Sequence, residues 1–140
     1  MKIEDLNERL LDSVLIGDGA MGSMLYELLG PQRCLDELNS TQAEAVFRVH
    51  QTYLEAGAQI IETNTFGANR HKLAALGLGD RVGEFNHRGV KIAREAREAA
   101  RHEVLIAGSI GPLGTLRQGK QLPLGEIHEI FREQAAALEE

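Results

Sequence analysis

The sequence predicts an α/β fold, in which short parallel strands alternate with helices that cross from one strand to the next. Three observations carry this. Short β-branched apolar runs recur three times, and each closes on turn residues. The stretches between them show helical apolar spacing. The runs also lack the polar alternation of a half-exposed strand, so they read as buried parallel strands. Strands joined this way imply right-handed crossovers. A doubly wound sheet and a (β/α)8 barrel both satisfy the pattern. A complete barrel takes about 250 residues, so the 140 residues here would supply three of its eight units.

A minor helix from Ile3 to Leu11 leads into the first run, Val14-Leu15-Ile16-Gly17, which meets Asp18-Gly19. Thr41-Gln42-Ala43-Glu44 matches a capping box, where hydroxyl and carboxylate satisfy free N–H groups of a first turn. Ala43, Val46, Phe47, His50, Tyr53 and Leu54 then follow at helical spacing, and Gly57 is a fitting stop. The second run, Gln59-Ile60-Ile61-Glu62-Thr63, meets Asn64. A short helical piece spans His71 to Leu76. Asp80 is placed to cap a longer helix, with Val82, Phe85, Ile92, Ala93 and Ala96 inward. The third run, Val104-Leu105-Ile106-Ala107, meets Gly108-Ser109. The last helix carries Ile127, Ile130, Phe131, Gln134, Ala135 and Leu138 on one stripe.

Composition narrows the function classes. Hydrophobic residues make up 43% of the chain, a fraction expected of a folded domain. The net charge is −6, and Lys and Arg form no dense block, so neither nucleic acid nor an anionic membrane is an expected partner. No apolar run approaches the roughly 20 residues of a membrane helix. The first residues carry acids where a secretion signal has bases. A single cysteine, Cys34, excludes an internal disulfide. The expectation is a soluble, cytoplasmic protein.

In either architecture the C-terminal strand ends carry function. Here they read Gly17-Asp18-Gly19-Ala20-Met21-Gly22, then Glu62-Thr63-Asn64-Thr65-Phe66-Gly67, then Gly108-Ser109-Ile110-Gly111-Pro112-Leu113-Gly114. The first is formally G-x-G-x-x-G after a strand, the dinucleotide fingerprint. Asp18 would be poorly placed beside a pyrophosphate, and the way to the next strand is long for a compact nucleotide unit. A carboxylate at a strand end suits a ligand ammonium better. Each segment also has a plain reading: Asp18 as a helix cap, Asn64 and Thr65 as turn residues, and Ser109 as part of a strand-to-loop turn. Three consecutive strand ends of the same character favour a site for a small polar molecule.

Together these segments, with Tyr53-Leu54-Glu55-Ala56-Gly57-Ala58, resemble the homocysteine S-methyltransferase family in order and spacing, over nearly the whole chain. Arg33-Cys34-Leu35-Asp36-Glu37-Leu38-Asn39 is most similar to the bacterial branch fused to a methylenetetrahydrofolate reductase; the N-terminal module of methionine synthase is also close. The resemblance implies the first three βα units of a (β/α)8 barrel, with residues 1–140 as the N-terminal portion of a homocysteine-binding domain and the rest of the barrel absent. It implies methyl transfer to the homocysteine thiol, giving methionine. It places Asp18 and Gly19 near the amino-acid part of homocysteine, Asn64, Thr65 and Phe66 in a wall of that pocket, and Ser109 at the third strand end beside it. The methyl donor, a folate or a corrinoid among other routes, is not identified by these residues.

Zinc is expected for the complete domain, held in the family by three cysteine thiolates on later strands. This chain offers Cys34 and the histidines His50, His71, His87, His102 and His128, with no H-x-x-x-H pair. They read as a buried thiol and as packing or surface imidazoles. A fragment inactive alone is therefore expected. The alternatives are a nucleotide-binding module using Gly17 to Gly22, and a non-catalytic interaction fragment. Open strand edges would favour pairing with the remainder of the barrel or with a second copy.

Overall fold

The computed structural model describes residues 3–114 and 122–139. Its elements are α1 (Ile3–Asp12), α2 (Met21–Leu29), α3 (Leu38–Thr41), α4 (Ala43–Glu55), β1 (Ile60–Glu62), α5 (Arg70–Ala74), α6 (Val82–Ala99), β2 (Leu105–Ala107) and α7 (Leu124–Glu139). A 3-10 turn, Gly79–Arg81, precedes α6. β1 and β2 pair in parallel, with Ile61 opposite Ile106.

The first apolar run is not a regular strand. Gly17 forms an isolated parallel bridge to Ile60. Three backbone bonds hold the segment to β1: Gln59 N and Ile60 N donate to Ile16 O, and Asp18 N donates to Ile60 O at 2.9 Å. The three segments therefore lie side by side in chain order, but the first is not buried. Val14 is 87% exposed and Ile16 59%, because the described residues pack β1 against one edge of this segment and leave its faces open.

The helices pack in a row along the strands, α2 on α4, α4 on α6 and α6 on α7. Their apolar stripes make three clusters. Leu25, Leu38, Val46, Val49 and Ile92 join α2, α3, α4 and α6. Leu54, Ala58, Ile61, Ala93, Ala96 and Val104 seal β1 against α6. Cys34, Ala68, Leu73, Leu78, Val82 and Phe85 fill the space beneath α5. All five inward positions expected for α6 are buried. On α7, Ile130 and Gln134 are buried and the rest of the expected stripe is partly covered.

Local signals gave mixed results. Gly57 ends α4 as expected: it sits at φ 102°, where a Cβ is unwelcome, and its N–H donates to Leu54 O. The capping box does not form. Gln42 precedes α4 with no side-chain cap bond, and Thr41 ends α3 with its hydroxyl donating to Glu37 O at 3.1 Å. The hydroxyl is captured by the preceding turn, and Ala43 at the helix start is exposed. Asp80 does not cap α6 either. It lies in the 3-10 turn with its side chain in solvent, 3.8 Å from Arg70 Nη1. No helix is assigned from the sequence to α2 or α3: α2 starts inside the glycine-rich strand end, and α3 is a single turn.

Candidate functional site

The strand ends meet the loops after them at one cavity of about 500 Å³. Asp18, Gly19, Asn64, Thr65, Phe66 and Ser109 all line it, so the structure brings together the whole set selected from the sequence. Their side chains do different things there.

Asp18 is not a helix cap. Its Oδ2 accepts from Glu62 N at 3.0 Å, which ties the end of the first segment to the end of β1. The carboxyl is half-buried, and burial raises its pKa above the ordinary carboxylate value, with the Glu62 charge adding to the rise. Glu62 is held in turn by Ser109, whose hydroxyl donates to Oε2 at 2.8 Å. Two carboxylates thus face the cavity at adjacent strand ends. Glu62 was noted as part of its motif but not selected as a site residue; its role depends on Ser109, 47 positions away.

Beside Asp18, the chain enters α2 through Ala20, which offers no side-chain cap. Gly19, Ala20, Met21 and Gly22 line the cavity. The first-turn N–H groups of α2 are therefore left with partial positive charge and no capping side chain.

Thr65 and Asn64 are committed to the scaffold. Thr65 Oγ1 shares a 2.6 Å bond with Thr63 Oγ1 and donates to Ser109 O at 2.8 Å. Asn64 Nδ2 donates to Leu35 O and to Asn39 Oδ1. Three buried carboxamides close the network from behind. Asn39 Nδ2 donates to Asn64 O, Gln134 Nε2 to Thr65 O and Asn86 Nδ2 to Ala68 O, at 2.7–2.8 Å. Asn39 and Asn86 give buried loop carbonyls a donor, and Gln134 adds a second one to Thr65 O, which also accepts from Ala68 N at 3.0 Å. Phe66, by contrast, lines the cavity as a residue 57% exposed.

The cavity also receives Gln32, Arg33, Cys34, Leu35 and Asp36, and Lys72 and Leu73 from α5. None of these was selected for the pocket from the sequence. The Arg33–Asn39 stretch carried a family likeness, but nothing local places it against residues 64–67.

Zinc needs three or four ligands. Among the described residues, no three His, Cys, Asp or Glu side chains are grouped to hold a metal. Cys34 is buried, its Sγ 3.9 Å from Asp36 Oδ2, and burial pushes its thiol up, away from the thiolate a metal needs. His50 is buried in α4, His102 Nε2 contacts Ala58 O, and His128 points to solvent. These residues do not fit zinc, and no metal is assigned to them.

Residues 15–140 match the homocysteine S-methyltransferase family. The chain is 36% identical to the methionine synthase of Mycobacterium leprae over 118 residues, and 34% identical to that of Mycobacterium tuberculosis. Each alignment covers 77% of this chain and 10% of the relative. Among solved structures, the homocysteine methyltransferase MmuM of Escherichia coli aligns in its metallated form with a TM-score of 0.76 at 29% identity. Its oxidised form gives 0.79 at 27%. Both alignments cover more than nine-tenths of this chain, at 92% and 94%, and 51% of MmuM. The chain thus spans about half the length of that solved relative.

Proposed function

This chain belongs to the homocysteine S-methyltransferase family, and on that premise we propose that its cavity holds the amino-acid portion of homocysteine during methyl transfer to the thiol, with methionine as product. On this reading, residues 1–140 form the N-terminal portion of a (β/α)8 homocysteine-binding domain. Its first three βα units begin at residues 14–17, β1 and β2. The remainder of that barrel covers the open strand edges.

The observation that carries the proposal is the convergence of Asp18, the uncapped start of α2 and Phe66 on one cavity. A zwitterionic amino acid needs an acceptor for its ammonium and donors for its carboxylate. Asp18, with Glu62 beside it, supplies the first. The free N–H groups of α2 supply the second, because a helix N-terminus favours an anion. The Phe66 ring gives the apolar methylenes a surface to lie on. The buried bonds of Asn64, Thr65 and Ser109 keep these groups in place before the ligand arrives, which limits the ordering cost of binding.

Titration calorimetry of the full-length protein with L-homocysteine tests this. The expected result is saturable binding, weakened on the order of tenfold or more by Asp18→Ala, as loss of a charge-assisted bond implies. Binding of a dinucleotide with no binding of homocysteine would instead support a nucleotide site at residues 17–22.

A further inference from the structure

We infer that Asp36 and Lys72 are positioning residues that fix the Phe66 ring as a wall of the pocket; this rests on the homocysteine reading above. Phe66 poses a physical problem. The residue is more exposed than covered, and an aromatic side chain at a strand-end loop makes a defined wall only when something holds it.

Three contacts do so. On one side the backbone of Gly111 lies against the ring. Gly111 N donates to Phe66 O at 3.0 Å, and a Cβ at 111 would stand 2.4 Å from that oxygen and 2.8 Å from ring atoms. Lys72 Nζ lies over the ring, 4.9 Å from its centroid, within cation–π range. The following residue is pinned as well: Gly67 N donates to Asp36 Oδ1 at 3.0 Å. A Cβ on Gly67 would come within 2.5 Å of Asp36 Oδ2, so the carboxylate seats directly against the loop.

Asp36 is 8% exposed. A carboxylate so placed costs free energy unless its oxygens are used. Here Oδ1 takes the Gly67 N–H and Oδ2 takes the Cys34 thiol. The Lys72 charge also acts on Asp36, opposing the effect of burial. One carboxylate therefore serves both ends of the clamp: it binds the backbone after Phe66 and attracts the cation that covers the ring. Lys72 is itself placed by its backbone N–H, which donates to Asn69 Oδ1 at the start of α5.

The test is a double-mutant cycle on the full-length protein, read by calorimetric titration with L-homocysteine. Asp36→Ala and Phe66→Ala are each expected to weaken binding about tenfold, and the double variant no more than Phe66→Ala alone, since residues acting through one another are non-additive. Lys72→Met, at a partly exposed site where folding is not in question, is expected to weaken binding and to lose its effect in a Phe66→Ala background. Losses that multiply in both doubles, or unchanged affinity in Lys72→Met, would overturn the clamp and leave the homocysteine reading standing. Failure of the unmodified protein to bind homocysteine would overturn both.

Discussion

In the proposed reading Asp18 is the residue on which recognition turns, and its environment predicts a pH signature for binding. Burial and then the Glu62 charge raise its pKa from the ordinary carboxylate value. As pH falls, Asp18 takes up its proton earlier than an exposed carboxyl would, and its attraction for an ammonium is lost there. Homocysteine affinity is predicted to decline on the acid side at a higher pH than an exposed aspartate would give. Glu62→Gln, which removes the like charge, should move the decline to lower pH. Affinity measured across pH 3.5 to 7 decides this, and a flat profile would count against Asp18.

His50 gives a second residue-scale prediction, about stability. The residue is fully buried in α4, and among the described residues neither ring nitrogen has a hydrogen-bond partner. Burial lowers its pKa to about 4 from 6.5. The folded state therefore requires neutral imidazole, while the unfolded chain protonates near 6.5. Stability from this source is intact above pH 6.5 and is lost as pH falls toward 4, by about 3 kcal/mol at the end of the window. His50→Leu is predicted to remove that part of the acid sensitivity and to melt no lower than the unmodified protein at pH 7. Thermal melts at pH 7 and pH 4.5 compare the two proteins, and an unchanged pH dependence would contradict the assignment.

At the scale of elements, the loop after β1 is held by helices distant in sequence. Gln134 of α7 reaches Thr65 O, 69 positions away, and Asn39 of α3 reaches Asn64 O, 25 positions away. Gln134→Leu removes one of the two donors to Thr65 O, which keeps the Ala68 N–H at 3.0 Å, and is predicted to cost about 0.5–1.5 kcal/mol, the net worth of one hydrogen bond. Denaturant unfolding measures this, and a loss no larger than a surface substitution gives would show that the Gln134 bond adds nothing net to stability.

The same distances explain what the sequence revealed. Gly17-Asp18-Gly19 and Thr63-Asn64-Thr65-Phe66 were legible because strand, turn and polar end are contiguous. The stripe of α6 was legible because helical periodicity is local. Asp36 and Asn39 were not, since their work is defined by partners brought near only on folding. Thr41-Gln42-Ala43-Glu44 misled because the pattern allows two outcomes, and a one-turn helix before it took the hydroxyl.

At the scale of the molecule, three parallel segments lie in chain order with their helices packed along them, and the cavity opens at their C-terminal ends. This is the expected place for a site in α/β folds. Among the described residues no helix is long and apolar enough to cross a membrane. The exposed Val14 and Ile16 mark a face that these residues leave uncovered. The most direct test of the whole account is a crystal structure of the full-length protein with L-homocysteine. The account predicts the ammonium within hydrogen-bond distance of Asp18, the carboxylate at the start of α2 and the methylenes along Phe66. Homocysteine bound elsewhere, or in this cavity with its ammonium turned away from Asp18, would contradict it.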